Sequence, residues 1–237
     1  MVWTLPSERA ALLALATDYP YAAPEGSYLF ENGGAAALPA EPALFEGRVP
    51  VLAHACPLPP AQLPRECLDP RFAGPREGRE GCIPVTYGWL AGYDVVFAAH
   101  VARYGAVTST LAAAPAVRAR VAVTWLTGDQ LLYMHETERM NYTFGRLPGR
   151  CYTPEAGPRP ESLAAYVGNH GPLRLEGMLT GMAAVTAEGR PYPALAQRAL
   201  QERLAALHHP QEEFEALLLA RIAEPERRRA FEALLQQ

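Results

Sequence analysis

The 237-residue chain contains no lysine, so all 21 of its Lys and Arg residues are arginines. An arginine-only set of strong cations, together with abundant Ala, Pro and Leu, is typical of codon bias in a GC-rich genome and by itself indicates no function. The arginines form no basic run or stripe of the kind that nucleic-acid-binding proteins carry, and the formal net charge is −4. The composition therefore argues against a nucleic-acid partner.

Long apolar runs are also missing from the sequence. The longest are far shorter than the roughly 20 residues that a membrane-spanning helix needs. Glu8 and Arg9 precede a modest Ala/Leu run near the N-terminus, and this arrangement lacks the charged region and cleavage site of a secretory signal. We therefore expect a cytoplasmic protein with no membrane partner.

Cysteine is scarce, and the four cysteines (Cys56, Cys67, Cys82 and Cys151) form no C-x-x-C pair. Their spacing matches no zinc ribbon or finger, and a reducing cytoplasm disfavours disulfides. The pattern predicts four free thiols, most of them buried. A zinc site that joins His54, Cys56 and a distant cysteine is an alternative that nothing in the spacing requires. We expect neither a metal nor a cofactor.

What the sequence does contain is enough apolar material for one sizeable core. Hydrophobic residues make up 49% of the chain and charged residues 19%, which excludes a disordered protein. The patterning predicts an α+β protein with three parts. Residues 1–47 form an N-terminal extension that packs on the core, residues 48–186 form the main domain, and residues 187–237 form C-terminal helices.

Apolar, β-prone runs alternate with turn residues through the main domain. They predict strands at 49–53, 83–89, 94–100, 107–111, 117–126, 141–147, 163–167 and 172–179. Helices are predicted in the extension up to Thr17, at 59–67, after Thr127, and in the C-terminal part at 192–207, 211–222 and 226–235.

Glu138 is the residue that most readily marks a functional centre. The sequence T-G-D-Q at residues 127–130 reads as a capping box that begins a helix. Glu138 lies about three turns further on, where a carboxylate opposes the helix dipole. If the carboxylate is desolvated there, it is a candidate base with a raised pKa. The alternative is an ordinary solvated residue on the surface of the helix.

Four segments of the main domain follow one another in a characteristic order: VLAHACPL at 51–58, YGAVTSTL at 104–111, VTW at 123–125, and MHETE at 134–138 with Tyr142 after it. In this order they resemble the FAYGSNL loop, the G-x-A-T segment, the GxVW strand, and the L-D-x-x-E-G helix with its following Tyr in the gamma-glutamylcyclotransferase-like proteins. The resemblance covers about residues 49–147.

This resemblance implies a small mixed β-barrel with flanking helices, to which the helical C-terminal extension is added. It also implies an acyltransferase or lyase that releases 5-oxoproline from a γ-glutamyl amine or amide, so that the partner is a small molecule. The family has a glutamate that shuttles a proton, and Glu138 takes that position as general acid and base. The substrate-binding positions implied by the resemblance are His54, Ala55, Cys56, Leu58, Gly105, Thr108, Thr110 and Tyr142.

The loop that holds the substrate carboxylate in the family is altered in this chain. His54, Ala55, Cys56 and Pro57 stand in place of Y-G-S-N. Ala55 adopts a positive φ only at a cost of roughly 1 kcal/mol, and Pro57 has no N–H to donate to an anion. These changes favour a second hypothesis, in which the same barrel serves a non-catalytic small-molecule-binding or interaction protein.

Three further expectations follow from individual residues. Arg139, directly after Glu138, would lower the pKa of that carboxylate if their side chains met. Cys56 and His54 lie two residues apart, which places them on one face of a strand and allows a Cys56-dependent hydrolase as a weaker alternative. The Leu-rich C-terminal helices either cover their own barrel, which we favour, or form a homodimer.

Overall fold

The computed structural model of the protein describes residues 5–31, 34–54 and 82–236. Its helices are α1 (Arg9–Thr17), α2 (Gly128–Glu138), α3 (Gln197–His208), α4 (Phe214–Ala223) and α5 (Pro225–Leu235). Its longer strands are β1 (Tyr28–Glu31), β2 (Gly34–Ala37), β3 (Val49–Ala53), β4 (Ile83–Val101), β5 (Val107–Leu126), β6 (Tyr142–Pro148), β7 (Tyr152–Pro154) and β8 (Ser162–Gly168). Two-residue strands follow as β9 (Arg174–Leu175), β10 (Met178–Leu179), β11 (Gly181–Met182), β12 (Ala187–Glu188) and β13 (Ala194–Leu195). The predicted helix at 59–67 lies outside the described residues.

One large mixed sheet organises the fold, with strand order β13-β11-β4-β5-β3-β8-β6. The short strands β1 and β7 add to β4, and β12 adds to β5. Pairing is antiparallel except between β3 and β8 and between β11 and β13. The α+β class is therefore confirmed. The predicted barrel is not confirmed, because the strand pairings of the described residues follow an open path with β6 and β13 at its ends.

A long hairpin of β4 and β5 forms the centre of the sheet. The sequence pattern predicted four separate strands here, and that prediction was wrong. The pairing register shifts between Ala91 and Tyr93, where Gly92 has a φ of +83°. This β-bulge bends β4 and lets pairing resume beyond it, so the strands predicted at 83–89 and 94–100 are parts of one strand.

The strand β3 lies between β5 and β8, and its residues Val51, Leu52 and Ala53 are buried. Its continuous apolar sequence suits a strand that is covered on both faces. Because His54 directly follows this strand, its side chain begins from a rigid and buried position. Ala55 to Leu58 continue outside the described residues.

The helix α2 begins where the capping box predicts. The backbone N–H of Gln130 donates to Thr127 Oγ1 at 3.3 Å, and the backbone N–H of Thr127 donates to Gln130 Oε1 at 2.9 Å. Met134 fastens the helix to the core through its buried side chain. Glu138 is the last residue of α2 and therefore has a fixed place relative to the sheet.

The outer helices attach to the sheet and to one another through polar contacts. The side-chain amides of Gln197 and Gln201 on α3 both donate to the carbonyl of Ala16 on α1, at 3.3 and 2.7 Å. On α5, the Glu232 carboxylate accepts the Val101 N–H at the end of β4 at 2.9 Å. No helix within the described ranges is both long and apolar enough to cross a membrane.

Candidate functional site

A cavity of about 840 Å³ opens at the end of α2. Its wall is built from β3, β4, β5, α2, β6, β8 and α5, with Tyr19 added from the segment after α1. This volume suits a small organic ligand, since such sites usually measure about 300 to 1,000 Å³.

Glu138 lines this cavity and is only partly exposed. Burial raises the pKa of its carboxyl from 4.5 to about 7. Within the described residues, the carboxylate has no hydrogen bond or ion pair that would oppose this shift. Arg139, which was expected to lower the pKa if the side chains met, is exposed and does not lower it. The group is therefore able to take up and release a proton near neutral pH.

His54 lines the same cavity and has a fixed tautomer. Its Nε2 lies 2.8 Å from the carbonyl oxygen of Tyr166, which can only accept, so Nε2 carries the hydrogen. Burial lowers the pKa of His54, which favours the neutral ring. Nδ1 of the neutral ring accepts from Ser109 Oγ at 3.0 Å, and Ser109 Oγ in turn accepts from the Tyr19 hydroxyl at 3.0 Å.

The backbone carbonyl of Tyr166 accepts a hydrogen bond from His54, and the Tyr166 side chain lies near Glu138. Its hydroxyl lies 2.8 Å from Nδ1 of His135 on α2, and its ring packs edge-on against His135 and Phe144. Burial and, secondly, the nearby charge of Glu138 raise the pKa of Tyr166. The phenol therefore stays protonated beside the glutamate at neutral pH. His135 is therefore a hydrogen-bond partner of Tyr166.

Four of the residues predicted for the site line the cavity: His54, Thr108, Glu138 and Tyr142. The Tyr142 hydroxyl donates to the carbonyl of Ser109 at 3.3 Å, and the Thr108 hydroxyl donates to the carbonyl of His100 at 3.5 Å. Ala55, Cys56 and Leu58 lie outside the described residues, so the structure does not place them.

Gly105 and Thr110 are not among the cavity-lining residues. Gly105 has a φ of +90°, and a Cβ at this position would lie 2.9 Å from Ile222 and 3.1 Å from Ala16. It is glycine because of its backbone conformation and the close approach of α1 and α4. Thr110 Oγ1 accepts the Gly168 N–H at 2.9 Å and so ties β5 to the end of β8. Both residues have a structural explanation.

Sequence reasoning did not find several residues of the cavity, among them Tyr19, Ser109, Tyr166, Arg228 and Glu232. Each lies in a segment whose local pattern is accounted for by packing or by helix solvation. Their common property is contact between segments far apart in the chain, which no local signal reveals.

Two titratable groups in the cavity wall, His100 and Glu232, contact each other. His100 Nδ1 lies 2.6 Å from Glu232 Oε1, and the His100 ring stacks on His170 with 4.7 Å between ring centroids. Burial alone would raise the pKa of Glu232, but His100 and the Val101 N–H outweigh it and lower the pKa. Burial and the neighbouring His100 lower the pKa of His170. Among the described residues, no group of three or more His, Cys, Asp or Glu side chains is arranged to hold a metal ion.

Known protein families and curated proteins provide no match to this sequence. Among solved structures, the chain is similar to the solution structure of At5g39720.1 from Arabidopsis thaliana, with 13% sequence identity and a TM-score of 0.29. The similarity covers 36% of this chain and 52% of that one, about half its length. At that TM-score the likeness supports no argument about fold or activity.

Proposed function

We propose that the protein is a gamma-glutamylcyclotransferase-like enzyme, which releases 5-oxoproline from a γ-glutamyl amine or amide. The observation that carries this proposal is Glu138, a carboxyl with a pKa of about 7 that lines an 840 Å³ cavity. It occupies the position of the proton-shuttling glutamate in the four-segment resemblance. A carboxyl that titrates near the working pH is the group that this chemistry needs.

The reaction moves one proton in each direction. The α-amine of the γ-glutamyl group attacks its own side-chain carbonyl, forming the ring C–N bond, and Glu138 accepts the proton that the amine loses. The bond to the leaving amine then breaks, and Glu138 returns the proton to that nitrogen. The products are 5-oxoproline and the free amine, and no water is consumed.

The wall near Glu138 supports this use of the cavity. His54 is held neutral and uses both ring nitrogens in hydrogen bonds, to Ser109 and to the carbonyl of Tyr166. A protonated histidine would lower the pKa of the Glu138 carboxyl and weaken it as a base. Because His54 is neutral, it has no such effect. The polar wall also offers the Tyr166 hydroxyl to orient a substrate beside Glu138.

Incubation with γ-glutamyl amino acids and with glutathione, followed by detection of 5-oxoproline by mass spectrometry, tests the proposal. Wild-type protein should form the product, and Glu138→Gln should lose about 10² to 10⁴-fold in rate, the usual contribution of a general acid or base. Glu161→Gln, at an exposed position outside the cavity, should retain the wild-type rate. Absence of product with the wild type, or equal rates for Glu138→Gln, would remove the enzymatic proposal.

A second candidate is a non-catalytic small-molecule-binding protein. It is favoured by Tyr19, which comes from the N-terminal extension and occupies the cavity wall in a hydrogen bond to Ser109. Such filling by a segment outside the region of resemblance suits a site altered for binding. Saturable binding of a γ-glutamyl compound without release of 5-oxoproline is its expected signature.

A further inference from the structure

A serine and a histidine form a hydrogen-bonded pair in the cavity wall that proton transfer by Glu138 does not use. Ser109 and His54 both line the cavity, and Ser109 Oγ lies 3.0 Å from His54 Nδ1. The opposite ring nitrogen of His54 donates to the carbonyl of Tyr166 at 2.8 Å. A hydroxyl, an imidazole base and a third group that orients the base are the parts that nucleophilic catalysis by serine requires.

The hydrogen bonds around the serine hydroxyl have a definite direction. Because His54 Nε2 carries the ring hydrogen, Nδ1 is an acceptor, and the Ser109 hydroxyl donates its only hydrogen to it. The Tyr19 hydroxyl, 3.0 Å away, then donates to one lone pair of Ser109 Oγ and fixes its position. The second lone pair of Oγ has no donor among the described residues, so it is available to a carbonyl carbon of a ligand in the cavity.

The surroundings of the pair keep the base neutral and limit its movement. Ser109 and His54 are both buried, and burial lowers the pKa of His54, so the imidazole is uncharged and able to accept a proton. The Tyr142 hydroxyl donates to the carbonyl of Ser109 at 3.3 Å, and the centroid of the Tyr142 ring lies 6.3 Å from that of His54. Tyr142 thus holds the backbone of the serine and lies beside the ring of the histidine, which preorganises the two groups.

We infer that Ser109 is the nucleophile, and His54 the general base, of an esterase activity in this cavity. Ser109 Oγ attacks the carbonyl carbon of a small ester, and its proton passes to His54 Nδ1 as the new O–C bond forms. The bond to the leaving group then breaks, and Nδ1 gives the proton to the departing oxygen. Water attacks the acyl-serine and gives a proton to Nδ1, the Oγ–C bond breaks, and Oγ recovers that proton. The products are an alcohol and a carboxylic acid, and one water is consumed.

The hydrogen-bond partner of His54 Nε2 indicates the class of substrate. The backbone carbonyl of Tyr166 is neutral, so it orients the ring but stabilises an imidazolium less than the carboxylate of a Ser-His-Asp triad does. The imidazolium forms together with the negative charge of the tetrahedral intermediate, so the buried site gains no net charge. This arrangement suits esters, because their leaving oxygen departs more readily than the nitrogen of an amide. The cavity of about 840 Å³ has room for a small ester.

A fluorophosphonate with a short alkyl chain tests this assignment, because it phosphonylates a serine that has a base beside it and releases fluoride. Wild-type protein should gain the mass of one phosphonyl group, and peptide mapping should place that group on Ser109. Ser109→Ala should not be labelled. His54→Asn retains a hydrogen-bonding side chain but no base, and its labelling should be about 10² to 10⁴-fold slower, the usual contribution of a general base.

Ser162→Ala is the matched control, because Ser162 does not line the cavity and its hydroxyl accepts from Arg146 at 3.1 Å. It should be labelled like the wild type. Ser109→Cys, which has nearly the volume of the wild-type residue, should also remain unlabelled, and it replaces Ser109→Ala if that variant does not fold. Thermal melting of each variant verifies that the protein is folded.

An unlabelled wild-type protein, an adduct on a residue other than Ser109, or equal labelling rates for His54→Asn and the wild type would overturn the assignment. Hydrolysis of p-nitrophenyl acetate should be slower in Ser109→Ala than in the wild type, and equal rates would overturn the esterase activity. This activity goes beyond the reaction proposed for Glu138. Neither probe contains a γ-glutamyl group, so these outcomes are independent of 5-oxoproline release, and each of the two proposals can fail alone.

Discussion

His54 and Ser109 are joined by a hydrogen bond of 3.0 Å between Nδ1 and Oγ, although 55 residues separate them in the chain. The bond links the end of β3 to the start of β5 and places a neutral imidazole in the wall of the cavity. Because Nε2 donates to the carbonyl of Tyr166, protonation of Nδ1 would require Ser109 to reverse its hydroxyl and a buried charge to form.

The His54 ring should therefore stay neutral with its hydrogen on Nε2 at pH 6.5, its ordinary pKa. Its pKa is lower in the folded state than in the unfolded state, so the stability it contributes is complete above pH 6.5 and is lost as the pH falls below it. Nitrogen chemical shifts of labelled histidine measure the tautomer directly. Urea unfolding should show a shallower loss of stability with acid in His54→Asn than in the wild type. An imidazolium signal from His54 at pH 6.5 would contradict this account.

Glu138→Gln should stabilise the protein at and above neutral pH. The folded-state pKa of about 7 exceeds the ordinary 4.5, so ionisation of Glu138 opposes folding progressively between these values and fully above pH 7. A shift of this size corresponds to about 3 kcal/mol, which partial solvent access reduces to about 1 to 2 kcal/mol.

The measurement is the free energy of unfolding in urea at pH 8 and at pH 4. The gain for Glu138→Gln should be present at pH 8 and absent at pH 4, where the wild-type side chain is protonated in both states. Glu161→Gln, at an exposed position, should change stability by less than about 0.5 kcal/mol. A gain of equal size at both pH values would exclude desolvation of a charged carboxylate as its cause.

Asp94 and Arg190 form a buried pair whose loss should destabilise the fold strongly. The Asp94 side chain has no exposed surface, and the guanidinium group of Arg190 binds its two oxygens at 2.7 and 2.8 Å. Removal of one partner leaves a buried charge uncompensated. Arg190→Met should therefore cost about 3 to 5 kcal/mol in urea unfolding.

Arg203→Met supplies the comparison, because Arg203 pairs with Glu176 at 2.7 Å between two largely exposed side chains. That variant should lose at most about 1 kcal/mol. Similar losses for the two variants would show that the Asp94–Arg190 pair has no special role in holding the segment around β11 and β13 against β4.

Gly105→Ala should lower stability and leave ligand binding by the folded protein unchanged. The new Cβ would face Ile222 and Ala16, and the residue would have to keep a φ of +90°. The expected loss is about 1 to 3 kcal/mol. Unfolding in urea gives the loss, and calorimetry with γ-glutamylglycine on the folded variant gives the binding. If Gly105→Ala bound γ-glutamylglycine more weakly at an unchanged free energy of unfolding, Gly105 would belong to the ligand site after all.

Local sequence patterns predicted most of the elements that position Glu138. The strand Val49–Ala53 and the capping box at Thr127 both have short-range signals, and the structure contains both. The prediction failed at the central hairpin, where four separate strands were predicted and the structure has two long ones. Gly92 lies between the strands predicted at 83–89 and 94–100, whereas in β4 it accommodates a bulge within one strand.

The residues that surround Glu138 in the cavity were harder to predict than Glu138 itself. Glu138 was found because a family motif resembles its surroundings, but Tyr19 reaches Ser109 across 90 residues of sequence. The local sequence of α5 does not distinguish Arg228, which lines the cavity, from its exposed neighbour Arg227. Contacts of this range depend on the tertiary arrangement, which a single sequence does not encode locally.

The cavity draws Tyr19, Glu138 and Arg228 from three distant parts of the chain into one wall. A bound ligand that touches all three tethers the N-terminal segment and α5 to the sheet, and its binding free energy opposes their local detachment. Occupancy should then slow amide hydrogen exchange in α5 and around Tyr19 more than in the central strands. The ligand would act as a reversible cross-link between the outer elements of the fold. The rate of amide hydrogen exchange in α5 would then report whether the site is occupied.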